Sequence, residues 1–541
     1  MLVPMMVLVP LLSGVLLAVL PRVGDATVRT FALMGTVVTF AISLGVAVQF
    51  NWEPAATAQM QMASAAPWIQ GFGISFGFGL DSISLWLVLL TTFLMPLVVL
   101  GSFSAAAVPQ RVREFFVWLL LLEAAMVGVF VATDLIFFYI CFEFTLIPLY
   151  FLIGVYGSTQ RLKAARVFFL YTFTGSMLTF TGLLYVAWYN ARYVGGHWNF
   201  SIAQLTAAAQ SMPDHSQGWV LLAMLAGFAV KVPLFPFHTW LPLAHTEAPT
   251  AGSVVLAGVL LKLGTYALLR FAIPMTPDAV AVYAPWISTL AIIGILYTAL
   301  ICWVQKDLKK LIAYSSVSHL GFCVLGMFAL NTVGMGGSVM YMINHGLSTG
   351  ALFLCVGMIY ERFHTREMRQ MGGLAKVMPV WSFFMVFFCL ASVGLPGLNG
   401  FVGEFLTLLG AFTSPELGPV YAIIAGFGLI FGAIYILYMV GRVVFGPVKV
   451  PGHGPTGDGK AADLNLREIV TLTPLAVSCL WLGLQPGPML KSIEEPLRLD
   501  RSAAARRALA PLTHEAAFEG PNPSVSRLVM SSRLPGSDHH E

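Results

Sequence analysis

Residues 132–157 read ATDLIFFYICFEFTLIPLYFLIGVYG, an almost unbroken apolar run that contains Glu143 and lacks any alternation of apolar and polar residues. A helix needs about 20 mostly apolar residues to cross the hydrocarbon core of a bilayer. A transmembrane β-strand is shorter and alternates with a period of two residues. The run therefore predicts a membrane-spanning helix that carries a carboxyl group at membrane depth.

The rest of the chain has the same character. Of its 541 residues 58% are hydrophobic and only 10% are charged, and the formal net charge is +4. Soluble domains carry about 25% charged residues. A chain so poor in charge cannot cover a water-facing surface, and its small net charge does not attract polyanions. Soluble enzymes and nucleic-acid binders are therefore excluded, and the composition predicts an all-α polytopic membrane protein.

The cysteines give no sign of a metal or redox centre. All six lie in apolar stretches, and none forms a C-x-x-C pair. Cysteines in such positions usually behave as small buried hydrophobic residues. The pattern argues against zinc, iron–sulfur ligation and a disulfide framework, so we expect neither a metal nor a cofactor in this chain.

Apolar runs of sufficient length predict about fourteen spans. The seventh is interrupted by KVPLFPFHTW (231–240), where Pro233 and Pro236 lack backbone donors, and the twelfth by LPGLNG (395–400). Both are predicted to be discontinuous helices. The predicted spans are residues 2–20, 30–49, 81–101, 114–132, 134–154, 167–188, 218–237, 249–271, 281–303, 308–328, 335–360, 378–411, 419–441 and 470–489.

Basic residues indicate the orientation of these spans. They lie almost entirely in loops that follow odd-numbered spans, and before the C-terminal tail only Arg192 and Arg270 follow even-numbered ones. Because cytoplasmic loops are enriched in Lys and Arg, both termini are predicted on the non-cytoplasmic side. The tail, residues 491–541, is rich in Pro, Ser and Ala, which predicts a loosely ordered polar extension.

Ionisable side chains inside the spans require an explanation, because each costs at least about 2.5–3.5 kcal/mol on insertion scales. A buried ion pair, a side chain that reaches the interface from a helix end, or a hydrogen-bonded core histidine would be a purely structural explanation. A proton path is the functional one. The candidates are Glu123, Glu143, Lys231, Lys262, His319, His345 and Glu404, with His238 beside the interruption of the seventh span.

The two interrupted spans predict an internal repeat. They are five spans apart and so cross the membrane in opposite directions, and each carries an ionisable residue at its break, Lys231 and Glu404. Paired interrupted spans in inverted halves mark the ion site of many transporters. The predicted regions are an N-terminal three-helix segment, a first and a second inverted five-helix repeat, a loop with span 14, and the polar extension, at residues 1–113, 114–271, 272–445, 446–490 and 491–541.

Each repeat is predicted to supply one half-channel, and Lys262 with the histidines of spans 10 and 11 would join the two at mid-membrane. An ion pair between Glu143 and Lys231 would be strong in a low-dielectric interior. The hypothesis is that forming and breaking this contact switches Lys231 between holding and releasing a proton.

Five stretches together resemble the antiporter-like subunits of the proton-pumping NADH:quinone oxidoreductase, respiratory complex I. The likeness is closest to subunit M, the counterpart of mitochondrial chain 4, because the sister subunits usually carry Lys where this chain has Glu404. The stretches are the opening run, KVPLFPFHTWLPLAHTEAPTAGSVVLAGVLLKLGTY (231–266), KDLKKLIAYSSVSHLGF (306–322), NHGLSTGALFL (344–354) and LPGLNGFVGEF (395–405).

The resemblance implies a role for each matching position. Glu143 matches the glutamate of span 5, Lys231 the lysine of span 7 that it modulates, and Lys262 the central lysine of span 8. The histidines of spans 10 and 11 match polar relay positions, and Glu404 matches the terminal, proton-releasing position.

One position departs from the family pattern. Leu243 stands in WLPLAH where many relatives have Asp, which leaves His238, His245 and Glu247 as candidate proton-uptake groups at this loop.

The resemblance also implies the partners. The complex oxidises NADH, reduces quinone and pumps protons, and this chain would translocate protons, driven by charge rearrangements in neighbouring subunits. FMN, iron–sulfur clusters and quinone would belong to those other subunits, since the chain has no Gly-rich nucleotide-binding fingerprint. The expected surroundings are other membrane subunits, especially antiporter-like ones, and the lipid of a bacterial inner membrane or an equivalent energy-transducing membrane.

Three other functions are compatible with the sequence. A membrane subunit of a multisubunit cation/proton antiporter or of a membrane-bound hydrogenase would share the fold. A haem-bearing oxidoreductase would need facing histidine pairs, for which His319 and His345 offer one pair at most. A passive scaffold would hold neighbouring subunits without moving protons.

Overall fold

Apolar helices make up most of the computed structural model, which describes residues 2–21, 23–104, 106–108, 110–451 and 462–498. Most of the predicted extension 491–541 and part of the loop before span 14 therefore lie outside the described residues. The helices are α1 (Leu2–Val19), α2 (Asp25–Gln49), α3 (Pro54–Thr57), α4 (Ser82–Gly101), α5 (Val112–Val131), α6 (Leu135–Phe144), α7 (Leu146–Tyr156), α8 (Arg161–Tyr189), α9 (Ile202–Gln210), α10 (Asp214–Lys231), α11 (Trp240–Glu247), α12 (Thr250–Val255), α13 (Leu261–Ala267), α14 (Ile273–Met275), α15 (Pro277–Val304), α16 (Leu308–Phe328), α17 (Thr332–Phe363), α18 (Pro379–Val393), α19 (Asn399–Thr413), α20 (Pro419–Val443), α21 (Leu466–Leu484) and α22 (Gly487–Glu494).

Shorter helical segments complete this description. The π-helical segment Asn190–Val194 continues α8, and two others, Leu256–Leu260 and Leu268–Ala272, link α12, α13 and α14 into one span. Turns of 3-10 helix lie at Gln70–Phe72, Leu374–Lys376 and Glu495–Leu497.

Twelve stretches of the described chain are long and apolar enough to cross a membrane, and they coincide with twelve of the predicted spans. The predicted class, an all-α polytopic membrane protein, is confirmed. The remaining two predicted spans, the seventh and the twelfth, are each divided into two shorter helices, so the total of fourteen stays a prediction.

The two interruptions lie where the sequence places them. In the seventh span α10 ends at Lys231 and α11 begins at Trp240, while in the twelfth α18 ends at Val393 and α19 begins at Asn399. Proline has no N–H for a helical hydrogen bond, which explains the first break. The second contains Gly394, whose φ of 80° is a conformation that glycine adopts without steric cost. Lys231 is consequently the last helical residue before the first break.

A third break, which the sequence analysis did not predict, divides the opening run at Thr145, between α6 and α7. Pro148 lies in the first turn of α7 and cannot donate to the Phe144 carbonyl. The Thr145 hydroxyl donates to the Phe142 carbonyl over 2.7 Å. Glu143 therefore sits in the last turn of α6, next to an irregular stretch of backbone.

A small β-hairpin was also missed. Its strands, β1 (Gln61–Ile69) and β2 (Ile74–Leu80), are antiparallel and lie between α3 and α4. The first strand reads QMASAAPWI, which lacks alternation and has only one β-branched residue, Ile69, so it gives little indication of a strand.

Burial is greatest in the spans that carry the central candidates. The eighth span, Thr250–Met275, and the eleventh, α17, are buried along their whole apolar windows, and the tenth, α16, nearly so. The outer helices α1, α2 and α21 are mostly exposed on the surface of the isolated chain. Lys262, His319 and His345 therefore lie in the interior of the bundle and not on its lipid-facing side.

The start of α6 is fixed by a cap and a backbone bridge. One carboxylate oxygen of Asp134 accepts hydrogen bonds from the backbone amides of Ile136 and Phe137 in the first turn of α6. Leu135 donates its amide to the Phe200 carbonyl over 2.8 Å, and Ile202 donates to the Thr133 carbonyl over 3.0 Å. The loop after span 6 is thereby bound to the start of span 5.

The start of α16 repeats this arrangement five spans later. An oxygen of Asp307 accepts the amides of the first helical turn. Leu308 donates its amide to the Arg366 carbonyl over 3.0 Å, and Met368 donates to the Lys306 carbonyl over 2.9 Å. The loop after span 11 is thereby bound to the start of span 10 in the same pattern.

Replacing Asp134 by Ala removes this cap from α6. A lost N-cap costs typically about 1 kcal/mol, which is roughly fivefold in an opening equilibrium. We therefore expect the amides of Ile136 and Phe137 to exchange with deuterium about fivefold faster, as measured by mass spectrometry. Asp307→Ala is the matched control, because it uncaps α16 and should leave these two amides unchanged. Equal exchange in wild type and Asp134→Ala would contradict the capping role.

Candidate functional site

Lys231 ends α10 with its ammonium group against the break between α6 and α7. Its Nζ donates to the Phe142 carbonyl over 3.1 Å and to the Thr145 hydroxyl oxygen over 3.4 Å. The same nitrogen lies 3.6 Å from the centroid of the Phe142 ring, a distance at which the ring face attracts a cation. Only 4% of the Lys231 surface is exposed, so these contacts replace water around the charge.

Glu143 lies close to Lys231 but is not paired with it. The two groups are near enough for their charges to interact. Neither carboxylate oxygen makes a hydrogen bond of normal geometry among the described residues, and the Ser176 hydroxyl lies nearby. In this structure, therefore, the hypothesised Glu143–Lys231 contact is not formed. That Lys231 switches between a formed and a broken contact stays a hypothesis.

Lys262 is completely buried in the eighth span and contacts His345 of the eleventh. Its Nζ lies 2.7 Å from His345 Nδ1 and also donates to the Ala257 carbonyl, which belongs to the π-helical segment before α13. Segments of π-helix inside α-helices frequently occur at functional sites. The contact brings together two of the predicted site residues.

This contact can transfer a proton. A lysine ammonium group is only a donor, so His345 Nδ1 accepts when Lys262 is charged. Passing that proton over 2.7 Å leaves a neutral amine and a protonated ring. His345 Nε2 is buried and has no partner among the described residues, so it is the atom through which the ring can hand the proton on.

His319 and Glu404 are joined through Tyr341. The Tyr341 hydroxyl lies 2.5 Å from His319 Nδ1 and also donates to Glu404 Oε1. His319 Nδ1 itself is 3.3 Å from the same carboxylate oxygen. Tyr341 was not among the predicted site residues, although it lies four residues before His345 and hence on the same face of α17.

The contact of Lys262 with His345 and the contacts that join His319, Tyr341 and Glu404 form one line across the middle of the bundle. The ring centroids of His319 and His345 are 5.8 Å apart, so this is the one step without a direct hydrogen bond. His319 Nε2 is 3.3 Å from the Ser392 hydroxyl oxygen at the end of α18. In order, the line runs from Lys262 through His345 and His319 to Glu404.

Two glycines keep Glu404 and Tyr341 close to the second interruption. A Cβ at Gly394 would collide with a Glu404 carboxylate oxygen, and one at Gly403 would lie 2.7 Å from the Tyr341 side chain. Glu404 is 3% exposed, so its carboxyl group is enclosed by α17 and the broken span. In the stretch LPGLNGFVGEF, the helix break thus lies directly against the Glu404 carboxyl group.

Two further candidates lie apart from this line. Glu123 is completely buried in α5, and neither of its oxygens has a partner among the described residues. His238 lies within the first interruption, with its ring 5.7 Å from that of Phe235 and 5.9 Å from that of Tyr297. No hydrogen bond links His238 to Lys231, and relay roles for both residues stay predictions.

Of three residues assigned to loops from the sequence, Lys309 and His245 are buried and Arg270 is half-buried. Lys309 is the second residue of α16, and its Nζ donates to the Ala248 carbonyl. His245, taken as a loop residue, is fully buried with its ring stacked on Phe353 at 4.7 Å. Arg270, counted as a loop charge, lies in a π-helical segment, 2.6 Å from Asp81.

Glu247, the third candidate at the loop after span 7, has a structural partner. One of its oxygens accepts from the Ser158 hydroxyl and from the Gln160 amide, both over 2.7 Å. It therefore fixes the loop between α7 and α8. The charge of Glu247 also acts on Lys309. Glu247 and Lys309 therefore belong to a second polar cluster, at the end of the bundle where the loop between α7 and α8 lies.

A helical membrane protein with two interrupted spans and a buried line of lysine, histidine and glutamate belongs to the class of ion-translocating membrane proteins. Residues 132–432 match the family described as NADH:quinone oxidoreductase/Mrp antiporter, transmembrane, and residues 30–129 match the amino terminus of NADH-ubiquinone oxidoreductase chain 4. The chain therefore belongs to the NADH:quinone oxidoreductase subunit M/chain 4 family.

Individual relatives agree with this assignment. NADH-ubiquinone oxidoreductase chain 4 of Marchantia polymorpha is 42% identical over 90% of this chain and 94% of its own length. NADH-quinone oxidoreductase subunit M of Rhodobacter capsulatus is 43% identical over 88% and 92%, respectively. The resemblance drawn from the sequence motifs is confirmed.

Solved structures share the fold. A chain of respiratory complex I from Thermus thermophilus with bound NADH is 32% identical and superposes with a TM-score of 0.79, covering 92% of this chain and 100% of that one. A chain of the Mrp complex from Dietzia sp. DQ12-45-1b is 21% identical with a TM-score of 0.80, covering 94% and 99%. At that identity the second match shows the fold alone.

The donor role of Lys262 predicts the tautomer of His345. With Lys262 charged, Nδ1 must be unprotonated and the ring proton must be on Nε2. In solid-state NMR of ¹⁵N-histidine-labelled protein, the His345 signal, identified by its loss in His345→Gln, should show a hydrogen-bonded, unprotonated Nδ1. Lys262→Met should remove that hydrogen-bond shift. A protonated Nδ1 in the wild type would contradict the assignment.

Proposed function

We propose that the chain is a proton-translocating membrane subunit of NADH:quinone oxidoreductase. The observation that supports this best is the buried line from Lys262 to Glu404, in which hydrogen bonds make every step except the one between the two histidine rings. The relatives named subunit M and chain 4 support the assembly, with other membrane subunits, antiporter-like ones among them, as partners. In this proposal NADH oxidation and quinone reduction take place in other subunits of the complex.

Proton movement along the line follows from the chemistry of its members. Lys262 passes a proton from Nζ to His345 Nδ1, and the ring releases a proton from Nε2 toward His319. His319 hands it on through the Tyr341 hydroxyl, or directly over 3.3 Å, to Glu404. The carboxyl group of Glu404 then releases the proton at the second interruption.

We infer that Lys231 controls the protonation of Lys262. The spans that carry them touch, since a Cβ at Gly264 would lie 3.1 Å from the Lys231 carbonyl carbon. Two cations in a medium of low dielectric repel each other strongly. When Lys231 moves toward Glu143 its charge is neutralised by the pair, and when it moves away the repulsion favours loss of a proton from Lys262. Charge rearrangements in neighbouring subunits would drive that movement.

The matched starts of α6 and α16 support the proposed inverted repeats. Each has an Asp cap and the same pair of backbone bonds to the loop that follows the next span. They are five spans apart, as are the two interruptions. This correspondence supports residues 114–271 and 272–445 as the repeats and hence as two half-channels opening to opposite sides.

The proposed location is the plasma membrane of a bacterium, with both termini on the non-cytoplasmic side. Two features support it: the relatives include bacterial subunit M proteins, and Lys and Arg concentrate in the loops after odd-numbered spans.

The experiment that tests the proposed function uses the assembled complex. We expect Lys231→Ala and Glu404→Gln to lower the protons translocated per NADH oxidised at least about tenfold, because each removes a group that must carry or direct the proton. The measurement is acidification of proteoliposomes that contain complex purified with its NADH:quinone reductase activity. That activity also reports whether the chain assembles with complex I and not with an antiporter or a hydrogenase.

Lys491→Ala is the matched control, because Lys491 is an exposed residue of α22. Unchanged proton translocation in fully assembled Lys231→Ala would favour the passive-scaffold alternative and refute the proposal.

A further inference from the structure

The ammonium group of Lys231 has a defined position away from Glu143. We propose that the Phe142 carbonyl, the Phe142 ring and the Thr145 hydroxyl form a seat for this ammonium group, and that Thr145 is a positioning residue which sets how readily Lys231 leaves Glu143. The inference rests on the proposed function, in which the position of Lys231 controls the relay.

The break in the opening run creates this seat. The Phe142 carbonyl accepts two hydrogen bonds, one from the Thr145 hydroxyl over 2.7 Å and one from Lys231 over 3.1 Å. A carbonyl oxygen has two lone pairs and can accept both. Because the Thr145 hydroxyl donates to the carbonyl, its own lone pairs are free to face the Lys231 cation, which lies 3.4 Å away.

The aromatic ring closes the third side of the seat. The Phe142 ring centroid lies 3.6 Å from Lys231 Nζ, and the ring is 1% exposed. A ring face attracts a cation most strongly when both are removed from water. Oxygen dipoles and the ring thus stabilise the charge without offering a group that can take its proton.

Glu143 is the competing position. It lies between Phe142 and Thr145 in sequence, and both of its carboxylate oxygens are buried without a hydrogen-bond partner among the described residues. Lysine has a flexible four-carbon stem, so its ammonium group can move between neighbouring sites without a change of backbone. The ratio of seated to paired Lys231 therefore depends on how strongly each site holds the cation.

Of the groups that form the seat, the Thr145 hydroxyl is the one that a substitution can remove while the shape of the side chain is kept. Valine has the shape of threonine without the hydroxyl group, so Thr145→Val removes both the hydrogen bond to Lys231 and the alignment of the carbonyl. Serine retains the hydroxyl. Thr39 provides the matched control, because it is equally buried in α2 and its hydroxyl donates to the Gly35 carbonyl of the same helix.

The test combines the position of Lys231 with proton translocation in the assembled complex. In cryo-EM maps of Thr145→Val we expect Lys231 Nζ within about 4 Å of the Glu143 carboxylate, the distance of an ion pair. Protons translocated per NADH should fall about tenfold, the change that corresponds to one hydrogen bond to a charged group. Thr145→Ser and Thr39→Val should match the wild type in both measurements.

Two results would overturn the proposal. One is a Thr145→Val complex in which Lys231 remains on the Phe142 carbonyl and ring. The other is a displaced Lys231 with unchanged proton translocation. Should Thr145→Val fail to assemble, Phe142→Leu removes the ring but keeps the carbonyl, and we expect the same displacement and loss. A Phe142→Leu complex in which Lys231 stays on the Phe142 carbonyl and protons are translocated normally would also overturn the proposal.

The proposed function fails in a different way. It is refuted by normal translocation in Lys231→Ala, a result that does not depend on where Lys231 sits in Thr145→Val.

Discussion

Lys262 places an ammonium group in the middle of a completely buried span, and the other central residues are arranged around that charge. Moving a cation out of water is costly unless protein groups replace the lost hydration. Here the Ala257 carbonyl and His345 Nδ1 replace it. Both partners require particular surroundings: the carbonyl belongs to a π-helical segment, and His345 must face the eighth span from the middle of α17. α17 is buried along its whole apolar window, and its Gly346 packs directly against Gly258 of the eighth span.

Two other ionisable groups, Lys231 and Glu404, lie at breaks in helices. An irregular stretch of backbone exposes carbonyl groups that a regular helix would use internally, and in a membrane such stretches are stable only inside the protein. Lys231 ends α10 at the first interruption and contacts the break at Thr145, while Glu404 packs on Gly394 at the second interruption. Continuous helices thus carry the charges deep in the bundle, and broken helices supply polar groups at the positions where, in the proposed mechanism, charges move.

Local sequence signals account for much of this structure, because spans follow from apolar runs and the interruptions follow from Pro and Gly. Lys262, His319, His345 and Glu404 were also identifiable, since an ionisable residue in an apolar run is conspicuous. Contacts between distant segments were not. Tyr341 joins His319 to Glu404 through tertiary packing, and a tyrosine in a membrane helix attracts no notice by itself. Lys309 donates to the Ala248 carbonyl, and only the fold shows that this basic residue at the start of span 10 points into the bundle. The seat for Lys231 depends on a helix break that Pro148 alone indicates weakly.

The central claim is that Lys262 and His345 act as consecutive members of one proton path. It is tested most directly by proton translocation per NADH in assembled complexes that carry Lys262→Met, His345→Gln or both. Residues that act in series lose their function together, so the account predicts that each single variant is lowered at least about tenfold and that the double variant is no lower than the more affected single one. Single variants that pump normally, or a double variant whose loss equals the product of the two single losses, would contradict it.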